Sequence, residues 1–416
     1  MVVKLTEKQI KDGWQIVKFE EIAREVKITT KTPVEDGLEF YIGLEHLDPQ
    51  SLRITRKGII AEDNPSFTRR FTAGQILFGK RRAYQKKAAI ADFDGICSGD
   101  IIVIEEMPGK IIPGLLPFIV QSDAFFDWAV QTSSGSLSPR TKWKSLAEFE
   151  FPLPPIERQK EILEVLEKLE EITLKNEELI NKGEFLFKLI LQEKTYYVNS
   201  DKHKLVIADF ASVANSPVDK KTKKGQASVK LCNYMDVYNN REITGNIDFM
   251  CASASQNEIE KFSLRKGDVV ITKDSETPDD IGVPTYIAED IPNLVCGYHL
   301  AIIRPNDTVS GKYLSYVLSS PKTRHDFIPY AQGMTRFGLS GDAYKKVKVY
   351  CPSIDEQNKI CSSLDNLQGT LDILKKQANK YTRKKRLILQ ELLLKNSINE
   401  GVQAEPQYKN ITKEQS

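Results

Sequence analysis

Pro154-Pro155-Ile156-Glu157-Arg158-Gln159-Lys160-Glu161-Ile162 recurs further along the chain as Pro352-Ser353-Ile354-Asp355-Glu356-Gln357-Asn358-Lys359-Ile360. Each copy opens a long charged stretch with helical periodicity. The copies stand much further apart than the roughly 20 to 50 residues of a solenoid unit, so what repeats is a domain together with its own helix. The chain of 416 residues therefore reads as two similar halves.

Working outward, the stretch behind the second copy carries Ile360, Leu364, Leu367, Leu371, Leu374, Ala378, Tyr381, Ile388 and Leu392 on a four-three alternation broken only by Lys385. This is a heptad seam about 50 Å long at ~1.5 Å per residue. Behind the first copy Ile162, Leu166, Leu169, Ile180, Phe187 and Ile190 keep the same phase, with Thr173, Asn176 and Gly183 at seam positions. Two such helices in one chain pair most simply with each other. The start of the first is acidic (Glu161, Glu164, Glu167, Glu170, Glu171, Glu177, Glu178), and the later part of the second is basic (Lys375, Lys376, Lys380, Arg383, Lys384, Lys385, Arg386). Antiparallel packing brings these blocks together, and flanking charge sets orientation in coiled coils. Asn176 is a candidate for fixing the register. Phe185, Leu186 and Leu189 on the first helix, and Leu387, Leu393 and Leu394 on the second, exceed what a two-helix seam buries, so they pack on neighbouring domains or bind a partner.

The segments before each helix align through landmarks. Tyr41–Leu47 matches Val229–Met235, Gly74-Gln-Ile-Leu matches Gly267-Asp-Val-Val, the run Ile101–Ile104 matches Leu300–Ile303, and Gly135 matches Gly333. Short apolar runs punctuated by Gly, Pro and Asp dominate, with helical pattern mainly at Gly114–Ala129 and Gly311–Leu318. The fold class expected is α+β: two similar mixed α/β domains separated by two long helices forming an antiparallel coiled coil. The expected boundaries are a domain at 1–154, a helix at 155–194, a domain at 195–352, a helix at 353–396 and a disordered tail at 397–416.

Composition excludes several classes. At 40% hydrophobic and 28% charged the chain has material for ordinary cores, and no apolar run reaches the ~18 residues of a membrane span. No membrane partner and a cytoplasmic location are expected. The six cysteines form no CxxC pair and the four histidines are scattered, so reduced, packed thiols are expected and no metal. Gly74-Gln-Ile-Leu-Phe-Gly79-Lys80 begins like a phosphate-binding loop, but Arg81 stands where Ser or Thr would hold magnesium. Asn64-Pro65-Ser66-Phe67 reads as a plain turn, Pro278-Asp279 lacks a following Glu-x-Lys, and no nucleophile elbow occurs. Catalytic residues: none.

The net charge of +2 is uninformative, but its clustering is not. Arg69 and Arg70, then Lys80, Arg81, Arg82, Tyr84, Lys86 and Lys87, concentrate cationic and aromatic side chains in the first domain. Two related domains on a stiff spacer suit a ligand with two recognition points, and duplex DNA is the natural one. A spacer of ~50 Å corresponds to roughly 10 to 15 base pairs at ~3.4 Å per pair, so a bipartite target with an unread gap is expected.

The tandem Pro-x-Ile-Glu/Asp-x-Gln-x-x-Ile segments at 154–162 and 352–360, each before a long helix, resemble the specificity subunit of type I restriction-modification enzymes. The likeness runs from Trp14 to about Leu394. Arg158 before Gln159 and Ser353 in place of the second Pro depart from the usual pattern. The resemblance implies a non-catalytic subunit in which each variable domain is a target-recognition domain for one half of an asymmetric double-stranded DNA sequence. It implies helices that act as ruler and dock methyltransferase (modification) subunits, with a restriction motor-nuclease subunit joining. S-adenosylmethionine, ATP and magnesium belong to those partners, so no cofactor is expected in this subunit. Candidate DNA contacts are Lys80, Arg81, Arg82, Tyr84, Lys86, Lys87, Ser138, Arg140 and Lys142 in the first domain, and Tyr234, Lys273, Ser275, Gln332, Thr335 and Arg336 in the second. The rival readings are the specificity subunit of a related type II restriction-methylation complex and a coiled-coil scaffold that binds no DNA.

Overall fold

The computed structural model describes residues 4–195 and 204–393; Leu394 and the tail expected at 397–416 lie outside them. The chain divides into two compact units, one comprising residues up to 175 together with those from 378 on, the other comprising 176–377.

In the first unit a four-stranded antiparallel sheet runs in the order Ala23–Val26, Ile101–Glu106, Ile76–Gly79, Ala88–Ile90. All four residues of Ile76–Gly79 are buried, because both faces of this sheet are covered. Ile76, Phe78, Ile102 and Ile104 point to a core shared with Phe125 and Phe126 of the helix Asp123–Gln131, while Leu77, Ile101 and Val103 point to a second core with Ile42, Phe71 and Cys97. That second core is roofed by strands Gly58–Ile59, Phe40–Ile42, Gly95–Cys97 and Arg69–Phe71, of which Phe40–Ile42 and Gly95–Cys97 pair in parallel. Gln15–Lys18 pairs with Glu150–Leu153 and closes the domain at its two ends.

The second unit repeats this plan. Its sheet runs Ala211–Asn215, Leu300–Pro305, Val269–Thr272, Pro284–Ile287, Glu242–Ile243. Val269, Ile271, Ala301 and Ile303 face Tyr313 and Leu314 of the helix Gly311–Ser319, and Val270, Leu300 and Ile302 face Cys232 and Cys296. Ala227–Cys232 pairs in parallel with Leu294–Cys296, as its counterpart does in the first unit, and Lys204–Val206 with Lys348–Tyr350 closes the ends. Four cysteines, Cys97, Cys232, Cys296 and Cys361, are packed thiols, whereas Cys251 is exposed. Burial pushes the Cys97 and Cys361 thiols up to about 12.

The duplicated motif acts as a latch. Gln159 is buried at the start of the helix Ile156–Thr195; its side-chain amide donates to the carbonyls of Lys110 and Pro154, and its Oε1 accepts from Ile112 N at 3.0 Å. Gln357, at the start of Ile354–Leu393, donates to the carbonyls of Thr308 and Pro352 and accepts from Ser310 N at 2.8 Å. A buried amide serving three backbone groups explains why Gln stands in both copies: any shorter or apolar side chain strands those groups.

Each long helix has 40 residues, about 60 Å at ~1.5 Å per residue. Within the first unit Leu163 and Leu166 share a core with Leu389 and Leu392, with Ile162 and Ile388 at its edge, and Lys385 Nζ lies 2.6 Å from Glu170 Oε2. Within the second, Phe187 and Leu191 share a core with Ile360, Leu364 and Leu371, flanked by Ile190 and Leu367, and Lys375 Nζ lies 2.6 Å from Glu184 Oε1. In both units later residues of one helix meet earlier residues of the other, so the pairing is antiparallel. The polar seam positions are real: Thr173 and Asn176 are buried, and Gly183 lets Leu371 approach to where a Cβ would meet it at 2.6 Å. Leu169 is buried, and Ile180, Leu374, Ala378 and Tyr381 are half-buried.

One detail departs from expectation. The acidic block does not pair as a block with the basic one: Glu164, Glu171 and Glu178 bond to Lys168, Lys175 and Lys182 one turn on in their own helix, the favourable i to i+4 geometry. Glu170–Lys385 and Glu184–Lys375 are ion pairs that join the helices. Of the apolar residues expected outside the seam to pack on a neighbouring domain or bind a partner, Leu393 is packed into the first unit's core, whereas Phe185, Leu186, Leu189 and Leu387 are exposed.

Candidate nucleic-acid interface

Both domains build the same loop corner from backbone hydrogen bonds. In the first, Lys80, just after the strand Ile76–Gly79, donates its N–H to Asp100 O at 2.9 Å, and its carbonyl accepts from Thr141 N at 3.0 Å. In the second, Lys273, just after Val269–Thr272, donates to His299 O at 2.9 Å and accepts from Leu339 N at 2.7 Å. Bridges Arg81 to Arg140 and Ser134 to Arg140 in one correspond to the pairs Asp274 to Gly338 and Gln332 to Gly338 in the other. Asp100 is thus equivalent to His299, Arg81 to Asp274, and Arg140 to Gly338.

The side chains differ sharply. Asp100 receives Arg140 Nε at 2.7 Å and Nη2 at 3.3 Å, with Arg81 Nη1 at 3.6 Å, while Arg81 also donates to Ser138 Oγ. The hydrogen bond from Arg140 is the main reason the Asp100 carboxyl lies below the usual carboxylate range. Arg140 is held by Asp100 but still exposed. Lys80 beside it is pulled below the ordinary lysine value by burial and then by Arg69, itself bound to Glu25. In the second domain His299 Nδ1 lies 2.5 Å from Asp274 Oδ2, and Lys273 Nζ sits 5.1 Å from the centre of the Tyr298 ring.

The loop ends are built alike. Gly135 and Gly333 take φ of +112° and +144°, the left-handed region that glycine tolerates, and a Cβ on Gly333 would meet Arg336 O at 1.8 Å. Beside them Leu137 and Met334 are 90% and 94% exposed, the most open large apolar side chains among the described residues. Gln332, Thr335 and Arg336 are exposed on the second loop and Lys142 at the foot of the first.

Not all of the residues expected at the interface gather there. The turn Ala83–Gln85 is bracketed by Arg82 and Lys86, both at positive φ, and exposes Tyr84. Arg82 N donates to Pro139 O at 2.8 Å, tying this turn to the loop, and its Nε is buried without a partner. Lys86, however, binds Asp123, a carboxylate also held by Arg386 of the second long helix; burial would raise that carboxyl, but the two cations outweigh it and lower it. Lys87 donates to Leu44 O at 2.7 Å. Ser275 is buried, its Oγ accepting from Thr277 N. These three side chains are committed inward. Tyr234 stacks on Tyr238 at 5.7 Å and borders the second corner. Asp100, Asp274 and His299 were missed; the signal available was their place immediately before, or just after, the matched apolar runs.

Comparison with known proteins agrees with this duplicated plan. The family described as type I restriction modification DNA specificity domain matches the chain twice, over residues 11–183 and 199–383. The chain is 30% identical over 161 residues to the EcoDI type I restriction enzyme specificity subunit of Escherichia coli, a match covering 38% of this chain and 35% of that protein. It is 20% identical over 420 aligned positions to the MjaVIII specificity subunit of Methanocaldococcus jannaschii, covering 92% and 93% of the two chains. Its fold is like that of the type I restriction-modification system S subunit from M. genitalium, with TM-score 0.58 and 15% identity over 94% of this chain and 98% of that one. Twin domains, twin latches and a family match over each half place the chain in the type I restriction modification DNA specificity family.

Proposed function

We propose that this protein is the DNA sequence-recognition subunit of a type I restriction-modification complex, binding a bipartite, asymmetric duplex with one domain for each half-site. The observation that carries this reading is the pair of equivalent loop corners with different side chains. A common scaffold with unlike contact residues is what two unlike half-sites require. In the first domain Arg140, Arg81, Lys80, Arg82, Ser138, Lys142 and Tyr84 are the proposed contacts; in the second they are Lys273, Tyr234, Gln332, Thr335 and Arg336. The subunit performs no chemistry and carries no cofactor; methyl transfer and cleavage belong to methyltransferase and motor-nuclease subunits acting with it in the cytoplasm. No helix among the described residues is long and apolar enough to cross a membrane.

The docking surface for the methyltransferase is proposed on the first long helix. Val165, Ile172, Leu179 and Leu186 recur every seven residues and are all exposed, with Phe185 and Leu189 beside them. A water-facing apolar line of this regularity is the pattern of a helix awaiting a partner. Sequencing the methylome of a host that carries this chain with its methyltransferase tests the whole reading: methylation at one split motif is expected, and methylation independent of this chain refutes it. Leu179→Glu with Leu186→Glu should abolish co-purification of the methyltransferase while leaving the chain folded.

A further inference from the structure

The two corners differ in what they offer a base. Where Arg140 stands in the first domain, the second has Gly338, which helps line a recess of about 640 Å³ bordered by Tyr234, Tyr298, Asp274, His299, Arg336 and Phe337. Asp274 Oδ2 is engaged by His299, whereas Oδ1 lies 3.3 Å from the place a Cβ on Gly338 would occupy, and Asp274 and Gly338 line the recess together. His299 is held at φ +73°, left-handed for a residue that is not glycine, and this backbone places its ring against the carboxylate. Asp274 and His299 are partly exposed, so a ligand reaches them from solvent.

A carboxylate is acceptor-only and pairs with a donor. Base edges offer few donors in the major groove: the exocyclic amino groups of adenine (N6) and cytosine (N4). Guanine and thymine present acceptor oxygens there, which a carboxylate repels. We infer that Asp274, oriented by His299, accepts a hydrogen bond from an exocyclic amino group of one base in the second half-site, while the first half-site meets the donor Arg140. The inference rests on the proposed DNA-recognition role and adds the opposite hydrogen-bonding character of the two readers. His299 is a positioning residue: it holds Oδ2 so that Oδ1 faces the base. Lys273, drawn over the Tyr298 ring, remains beside this centre and suits a neighbouring phosphate.

The test uses the full chain with its methyltransferase. The preferred duplex is first defined by selection from a randomised library. Each adenine or cytosine of the second half-site is then replaced in turn by purine or 2-pyrimidinone, which lack the amino group. Wild-type protein should lose about 10- to 100-fold in affinity at one such position. Asp274→Ala should bind the unmodified duplex that much more weakly and show no further loss at that position, with preference at the first half-site unchanged. Asp274→Leu, which keeps the bulk without an acceptor, should lose at least about tenfold in discrimination there, and His299→Gln less, at the same position. Full discrimination of every amino group by Asp274→Ala or Asp274→Leu overturns the inference while leaving the DNA-recognition role standing. Failure of the wild-type complex to prefer any duplex sequence overturns both.

Discussion

The corner at Lys80 and the corner at Lys273 share a backbone and oppose each other in charge. The first puts its acid on Asp100, before the strand Ile101–Glu106, and surrounds it with Arg81 and Arg140; the second puts its acid on Asp274, after Lys273, and answers it with His299. The difference teaches that the repeat conserves hydrogen bonds made by main-chain atoms and leaves the side chains free. On the proposed reading, target choice rests on positions the scaffold does not need.

The contrast can be broken or sharpened by experiment, beginning where the two halves are most alike. Gln159→Ala and Gln357→Ala each strand three backbone groups that are buried or part-buried, so each should destabilise its own unit by about 3 kcal/mol, read by denaturant unfolding; unequal losses would show that the latches are not equivalent. The two ion pairs between the helices should then separate. Lys385→Ala leaves Glu170 unpaired in a mostly buried seam and should cost about 2 kcal/mol, whereas Lys375→Ala, at a pair nearly half exposed, should cost ~0.2 to 1 kcal/mol. At the interface, Arg140→Ala should weaken binding about 10- to 100-fold and relax sequence preference in the first half-site only, measured by competition with half-site mutant duplexes.

The smallest effect is on pH. Asp100 has a carboxyl lowered in the folded protein, chiefly by its bond from Arg140, so its contribution is complete above the ordinary carboxylate range and is lost as pH falls through the lowered value. Amide exchange at Ser134 and Arg140 should rise modestly in acid, below about pH 4, and Arg140→Ala should remove that dependence.

The helices were legible because a seven-residue period is a property of the sequence itself: Lys385, the one polar break in the second seam, and Thr173, Asn176 and Gly183 in the first all occupy the seam the heptads assign them. Orientation was legible from charge, and Glu170–Lys385 and Glu184–Lys375 are pairs that express it. The corners were harder. Asp100 and Arg140 are forty positions apart, and their meeting depends on strand order that no local pattern encodes. For the same reason Lys86 and Lys87 looked like surface cations: nothing near them in sequence announces Asp123 or the Leu44 carbonyl. A latch such as Gln159 could be seen to repeat, but its purpose required the partners Lys110 and Ile112.

The end-closing strand pairs carry one more implication. Gln15–Lys18 lies against Glu150–Leu153, and Lys204–Val206 against Lys348–Tyr350, so each reading domain leaves the chain where it came in, directly before the Gln-fastened helix. Such a module can be exchanged for another that brings backbone groups to the places where Lys110 and Ile112, or Thr308 and Ser310, meet the glutamine. New target choices then demand only fresh inserts, not a new machine.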